Sequence, residues 1–259
     1  MKISVIVPAH NEEWIISETL SSLSEVMEKL KLNYEIIAVD DNSDDETLRV
    51  MQDLSEKYPR IRVFCKHSSK SGPTGLGSAL KFGFYHSTGD ILIPFMGDLS
   101  DDPEDIIKLV NKIEEGFDVV CGSRFIKGGK ATDYPVIKLI AHRSYNKFFA
   151  FIFGLDLEDL SNAFKAYRRG IFNSILIESD GFEFGVEVLL KAHILGFKIA
   201  EVPVRWFNRR AGMSKLGAFS PTLGFILTGL PKVGWAYGKL ASKLYAKFIF
   251  SKLVKFTRL

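Results

Sequence analysis

The stretch FMGDLSDDPED, residues 95–105, sets Asp98, Asp101, Asp102 and Asp105 directly after an apolar run. Carboxylates there can cap a helix, bind a cation, or do both. Pro103 suits a first helical position and Asp102 the cap before it, while Glu104 and Asp105 suit the positive end of the helix dipole. Helix chemistry therefore accounts for Asp102 and Asp105. It leaves Asp98, with Asp101 beside it, as candidate ligands for Mg²⁺ or Mn²⁺, ions that take oxygen donors and bridge to phosphates.

Three more polar clusters follow strand-like runs: Pro8-Ala9-His10-Asn11-Glu12, Asp40-Asp41-Asn42 and Gly122-Ser123-Arg124. Pro8 and Asn11 could do no more than turn the chain. Ser43 and Glu46 match a Ser-x-x-Glu capping box, which leaves Asp40, Asp41 and Asn42 over for hydrogen bonds to a base or ribose hydroxyl. The loop Gly72 to Gly77 precedes a helix, where backbone N–H groups can approach a phosphate. No Gly-Lys-Ser/Thr follows, so it is not a Walker loop.

The elements that must position these clusters alternate. Strands are expected at 3–8, 34–40, 61–66, 90–96 and 117–123. Between them, helical spacing covers 13–30, 44–57, a segment ending near 86, and 103–115. This rhythm implies an α/β fold with right-handed crossovers and a mostly parallel sheet. The strands are apolar throughout, as strands covered on both faces are. In such sheets ligands bind beyond the carboxyl ends of the strands, where all four clusters fall. Beyond Gly128 the rhythm breaks into a helix at 138–153, a strand within 162–169, a helix at 182–195 and a strand at 198–207. The expected organisation is one α/β domain over 1–215 and an extension over 216–259.

The chain has 259 residues and a net charge of +3. That balance hides an asymmetry: after Glu201 there is no acidic residue but 11 Lys or Arg, so the chain up to Glu201 is net −8. A basic tail on an acidic body suits an anionic partner. Cys65 and Cys121 lie in apolar runs and are expected to be buried free thiols. The opening KISVIVP is strand-like, and no secretion signal is expected. No stretch has the ~18–20 uncharged apolar residues of a membrane span; Leu216 to Pro231 is too short and too broken by Pro and Gly, and reads as a shallow or re-entrant segment or as a core segment of the soluble fold.

The strings VIVPAHNEE, VDDNSDDET, GPTGLGSAL, GDLSDDPE, GSRF, NAFKAYRR and FNRRAGMSKL occur in the order seen in family 2 glycosyltransferases. Over about residues 2–217 the chain is similar to the branch containing dolichol-phosphate mannose synthases and related polyprenyl-phosphate glycosyltransferases. The resemblance implies a GT-A, Rossmann-like fold. It implies inverting transfer of a sugar from a nucleotide sugar, GDP-mannose or a UDP-sugar, to a polyprenyl or dolichyl phosphate, with a divalent metal, Mg²⁺ or Mn²⁺. By matching position, Pro8, His10, Glu12, Asp40 and Asp41 would hold the nucleotide, and Gly75 to Gly77 would border the sugar diphosphate. Asp98 would be the last Asp of the family's D-x-D metal motif. Arg124, Arg209, Ser214 and Lys215 would hold phosphates. The chain departs from the pattern at Met96, which replaces the first Asp of D-x-D; Asp101 is the candidate substitute. His10 stands where Tyr or Phe is common, and Lys138 and His142 where relatives place Arg and Ser. Other readings are a family 2 transferase with a non-lipid glycan acceptor, a non-catalytic nucleotide-binding or membrane-scaffold protein, and, for Arg209 and Arg210, plain surface charges.

In the tail, Lys239, Lys243 and Lys247 recur every four residues, and Leu240, Leu244, Phe248 and Ile249 form an apolar stripe. The expectation is a basic amphipathic helix lying on an anionic bilayer, making the protein peripheral at the cytoplasmic face of a membrane. The alternative is a helix docked on its own domain or on a partner subunit. No nucleic-acid partner is expected.

Overall fold

Strands β1 (Ile3–Ala9) and β2 (Tyr34–Asp40) are buried along their whole length; their side chains are apolar except Ser4, Glu35 and Asp40, which are hydrogen-bonded. The structure, a computed structural model, describes residues 1–66, 74–208, 235–236, 238–246 and 248–249, with the Lys138 side chain left out. The strands β3 (Ile61–Cys65), β4 (Ile91–Pro94), β5 (Val119–Ser123), β7 (Lys165–Arg168) and β8 (Ile199–Pro203) join β1 and β2 in one sheet, ordered β3-β2-β1-β4-β7-β5-β8. All neighbours are parallel except β7, which runs antiparallel between β4 and β5. A crevice opens where the order reverses, between β1 and β4, at their carboxyl ends.

Helices cover both faces. The amphipathic helices α1 (Ile16–Lys29), α2 (Thr47–Lys57) and α4 (Ile106–Glu114) bury Leu20, Leu23, Met51 and Leu109 on one side. Helices α3 (Leu76–His86), α5 (Val136–Phe153) and α6 (Phe184–Leu195) bury Leu80, Phe153 and Leu189 on the other. Each such side chain contributes roughly 1.5–3 kcal/mol of hydrophobic stabilisation.

Three expectations need correction. Ser43 and Glu46 do not form a capping box. Helix α2 starts at Thr47, Ser43 Oγ accepts from the Asn11 N–H (3.0 Å), and Asp45 Oδ1 accepts from the Thr47 N–H (3.0 Å) instead. The strand expected at 198–207 divides. Its first half pairs with β5 as far as Pro203, and Arg205–Phe207 (β9) leaves to pair with Lys130–Thr132 (β6). Pro203 has no N–H to extend the ladder. Asp105, assigned only to the helix dipole, is fully buried and receives the Arg205 N–H at 2.6 Å, tying the start of α4 to β9.

In the tail, residues 238–246 are helical. Leu240, Leu244 and Phe248 are buried in the α5–α6 layer, with the Phe248 ring 5.5 Å from Phe153 and stacked on His193. Lys243 pairs with Glu178. The apolar stripe thus docks on its own domain; Ile249, Tyr245 and Trp235 stay exposed.

Candidate active site

The loops after β1 and β2 are stitched together. His10 Nδ1 lies 2.8 Å from the Asp41 carbonyl, the Asn11 side chain accepts from the Asp44 N–H, and the Glu12 N–H donates to Thr47 Oγ1. Asn11 therefore holds a left-handed turn (φ 56°) rather than facing a ligand. Pro8, His10, Glu12 and Asp41 line one cleft of about 530 Å³. Asp41 is engaged on both oxygens: Lys66 Nζ donates to Oδ1 at 2.9 Å and the Gly75 N–H to Oδ2 at 3.2 Å. Asp40 does not line the cleft. It is buried below, where Oδ2 accepts weakly from the Ser43 N–H and the Cys65 thiol. Cys65, expected to be buried, is only partly so; burial, and then the Asp40 charge, push it up to about 11, so it stays a thiol.

Gly75 lines the same cleft with φ +119°, a conformation that favours glycine. Gly77 does not line it; a Cβ there would come within 2.9 Å of backbone atoms of residues 179–181, so this glycine serves close packing.

After β4 the chain turns at Leu99 (φ 51°), where Asp98 Oδ1 accepts from the Ser100 N–H. Met96, Asp98 and Asp101 all line the cleft. Asp101 is 2% exposed, and its Oδ1 has no hydrogen-bond partner among the described residues. Burial first, and then the nearby Asp98 charge, push it up to about 8. A carboxylate pair with a buried oxygen left over is the hard-donor set that Mg²⁺ or Mn²⁺ takes, whereas the Met96 thioether is soft and adds nothing to it. Among the described residues no three His, Cys, Asp or Glu side chains gather around one point. Such an ion would complete its coordination with diphosphate oxygens and water.

Arg124, at the end of β5, also lines the cleft, but most of its guanidinium is committed. Nε donates to Asp159 Oδ2 at 2.7 Å and Nη2 to Asp159 Oδ1 at 2.9 Å. Nη1 points at the Tyr134 hydroxyl, 3.4 Å away. Tyr134 in turn meets His142 Nδ1 at 2.7 Å and packs on Trp206. The strand ends thus bring Asp41, Asp98, Asp101 and Arg124 to one cavity. Arg209, Ser214 and Lys215 lie outside the described residues. Tyr134, Ser161, Asn162, Phe182 and Trp206 also line the cleft and were not singled out from sequence. They come from the region after Gly128, where the strand–helix alternation breaks; Phe182 opens the expected helix at 182–195 and Trp206 lies inside the expected strand at 198–207, but neither ends a strand of the regular rhythm.

The profile of the family described as glycosyl transferase family 2 matches residues 4–176. A dolichol-phosphate mannosyltransferase of Pyrococcus furiosus is 34% identical over 223 residues, covering 83% of this chain and 59% of that protein; this chain spans about three fifths of its length. A polyprenol monophosphomannose synthase of Mycolicibacterium smegmatis is 28% identical, covering 82% of this chain and 80% of that one. Among solved structures, glucosyl-3-phosphoglycerate synthase of Mycobacterium tuberculosis, solved with Mn²⁺, UDP and phosphoglyceric acid, superposes with a TM-score of 0.63 at 22% identity, covering 95% of this chain and 78% of that one. The fold is the GT-A fold. With a family profile matched across most of its length and its carboxylates and arginine gathered at the strand ends, this chain belongs to glycosyl transferase family 2.

Proposed function

We propose that this protein transfers a mannosyl group from GDP-mannose to a polyprenyl phosphate such as dolichyl phosphate, with inversion at the sugar. The observation carrying this reading is the convergence of Asp41, Gly75, Asp98, Asp101 and Arg124 on one cleft. The names of the Pyrococcus and Mycolicibacterium relatives support the acceptor class and the sugar.

A lipid phosphate is already anionic, so its oxygen can attack the anomeric carbon without a strong base. The work is to hold two anions together and stabilise the departing diphosphate. In this reading Pro8, His10, Glu12 and Asp41 bind the nucleoside, with Asp40 shaping the loop from below. The Gly75 backbone lies along the diphosphate, and Gly77 seats the helix behind it. Asp98 and Asp101 would hold a divalent ion, which would offset charge on the departing diphosphate. Arg124, with Arg209, Ser214 and Lys215, grips phosphate.

We place the protein at the cytoplasmic face of a membrane. The docked tail leaves Trp235, Tyr245 and Ile249 outward, and α5 exposes Ile137, Ile140, Phe148 and Phe151 beside Arg143 and Lys147. Pro135 and His142, at the start of that helix, line the cleft, which suits an acceptor whose tail stays in lipid.

The test is incubation with labelled GDP-mannose or UDP-sugars, Mn²⁺ and dolichyl phosphate. Labelled lipid from GDP-mannose is the expected product. Transfer from a UDP-sugar would change the donor, preference for a soluble acceptor would change the acceptor, and no transfer from any donor would defeat the reading.

A further inference from the structure

Asp159 is fully buried behind the cleft wall, and no periodic or motif signal draws attention to it. It is nevertheless the most heavily bonded carboxylate near the site. Oδ2 accepts from the Arg124 backbone N–H (3.2 Å) and Nε (2.7 Å). Oδ1 accepts from Arg124 Nη2 (2.9 Å), Asn146 Nδ2 (3.2 Å) and Ser161 Oγ (3.4 Å). Its own N–H donates to Glu201 on β8. Asn146, also fully buried, closes a ring by accepting the Ser161 N–H. One carboxylate thus joins the end of β5, helix α5 and the segment carrying Ser161 and Asn162.

The consequence is directional. A guanidinium presents donors along distinct edges. Asp159 takes the Nε–Nη2 edge, and the Nη1 end lies beside Tyr134, which lines the cleft with Arg124. An Arg held this way meets an anion with a chosen edge and little rotamer entropy left to lose. Asn146 places α5 in the same frame, so the helix bearing His142 and the arginine keep a fixed relation.

We propose that Asp159 is a positioning residue for phosphate binding, fixing the edge that Arg124 presents to the acceptor and coupling it through Asn146 to α5. This rests on the reading that Arg124 meets a phosphate, and it is tested by binding rather than turnover. Calorimetric titration with farnesyl phosphate, and separately with GDP, compares the wild type, Arg124→Gln, Asp159→Asn, the double variant and Asp159→Glu. The expected result is that Asp159→Asn and Arg124→Gln each weaken farnesyl phosphate about tenfold, the scale of one charge-assisted hydrogen bond. GDP affinity stays within about twofold, and Asp159→Glu recovers part of the loss. The double variant is expected to bind no worse than Arg124→Gln alone, because Asp159 acts through Arg124.

Additive losses, equal weakening of GDP, or farnesyl phosphate binding that is absent or indifferent to Arg124→Gln would overturn the proposal. Should Asp159→Asn not fold, Asn146→Ala cuts only the link to α5. It is expected to weaken farnesyl phosphate about threefold with GDP unchanged, and no change would overturn the proposal. A wild type that binds farnesyl phosphate through Arg124 yet transfers no sugar would defeat the function proposed above and leave this one standing.

Discussion

Two buried aspartates serve the same cleft in opposite ways. Asp159, behind the β5 side, is surrounded by donors; burial works against its charge, but the Arg124 guanidinium prevails and holds the carboxyl below its usual range. Asp101, on the β4 side, has no hydrogen-bond partner for Oδ1 among the described residues and faces the charge of Asp98; it is pushed up to about 8. The chain has completed one charge with its own groups. It has left the other to be completed by a proton or a cation. In the proposed reading, the finished carboxylate belongs to the frame and the unfinished one to the chemistry.

The sharpest way to break this contrast is to delete the finished charge. Asp159→Leu leaves Arg124 buried without its partner and should cost about 3–5 kcal/mol of stability, measured by urea denaturation. A loss below ~1 kcal/mol would mean that water reaches Arg124 and that the pair is not a frame element. Next in size is the unfinished side. Asp98→Ala should lower transfer about a hundredfold, roughly 2.7 kcal/mol of transition-state stabilisation, and abolish its response to Mn²⁺. If turnover and nucleotide binding both persist unchanged, Asp98 is not a ligand and the cleft does not bind the ion through it.

The two carboxylates also differ in how legible they were. Asp98 and Asp101 end a buried apolar strand, where a carboxylate without a helix to cap is conspicuous, so spacing alone singled them out. The same logic located the β1 and β2 loops and Arg124, and the strand rhythm gave the parallel core. Asp159 follows no strand and starts no helix. Its meaning comes from Arg124, 35 positions away in the chain, and from Asn146 on α5, so no local pattern could reveal it. The antiparallel β7 was equally silent on direction, because side-chain alternation is the same either way. The tail shows a further limit. Periodicity identifies an apolar stripe but not its partner, and Leu240, Leu244 and Phe248 found their own core rather than a bilayer.

Acidity distinguishes the two sites more gently. The folded state holds the Asp101 proton up to about pH 8, while in the unfolded chain it leaves near the ordinary value of 3.8. Between those limits the folded state binds more protons, so the contribution of Asp101 is fully present below the lower value and is lost as pH rises toward the upper one. The slope is at most about 1.4 kcal/mol per pH unit. Asp101→Asn should flatten it, read from melting temperatures between pH 5 and 8 in chelator. Wild type in Mn²⁺ should lose less stability than in chelator as pH rises, because the ion replaces the proton. Identical pH profiles for the wild type and Asp101→Asn would show that Asp101 ionises freely.

Met96→Asp restores the missing carboxylate of the family motif and should have the smallest effect. A third acidic side chain beside Asp98 and Asp101 supplies another oxygen ligand, but without a cation it adds like charge to a pair that already resists ionisation. Part of the gain is spent in suppressing that repulsion. Mn²⁺ affinity should therefore rise only about threefold, some 0.6 kcal/mol, and the gain should be greater at pH 8 than at pH 6, where protons compete. Isothermal titration at the two values decides it. An unchanged affinity at both would place the Met96 side chain away from the ion, and would mean that the Asp98–Asp101 pair already supplies all the protein ligands the cation can use.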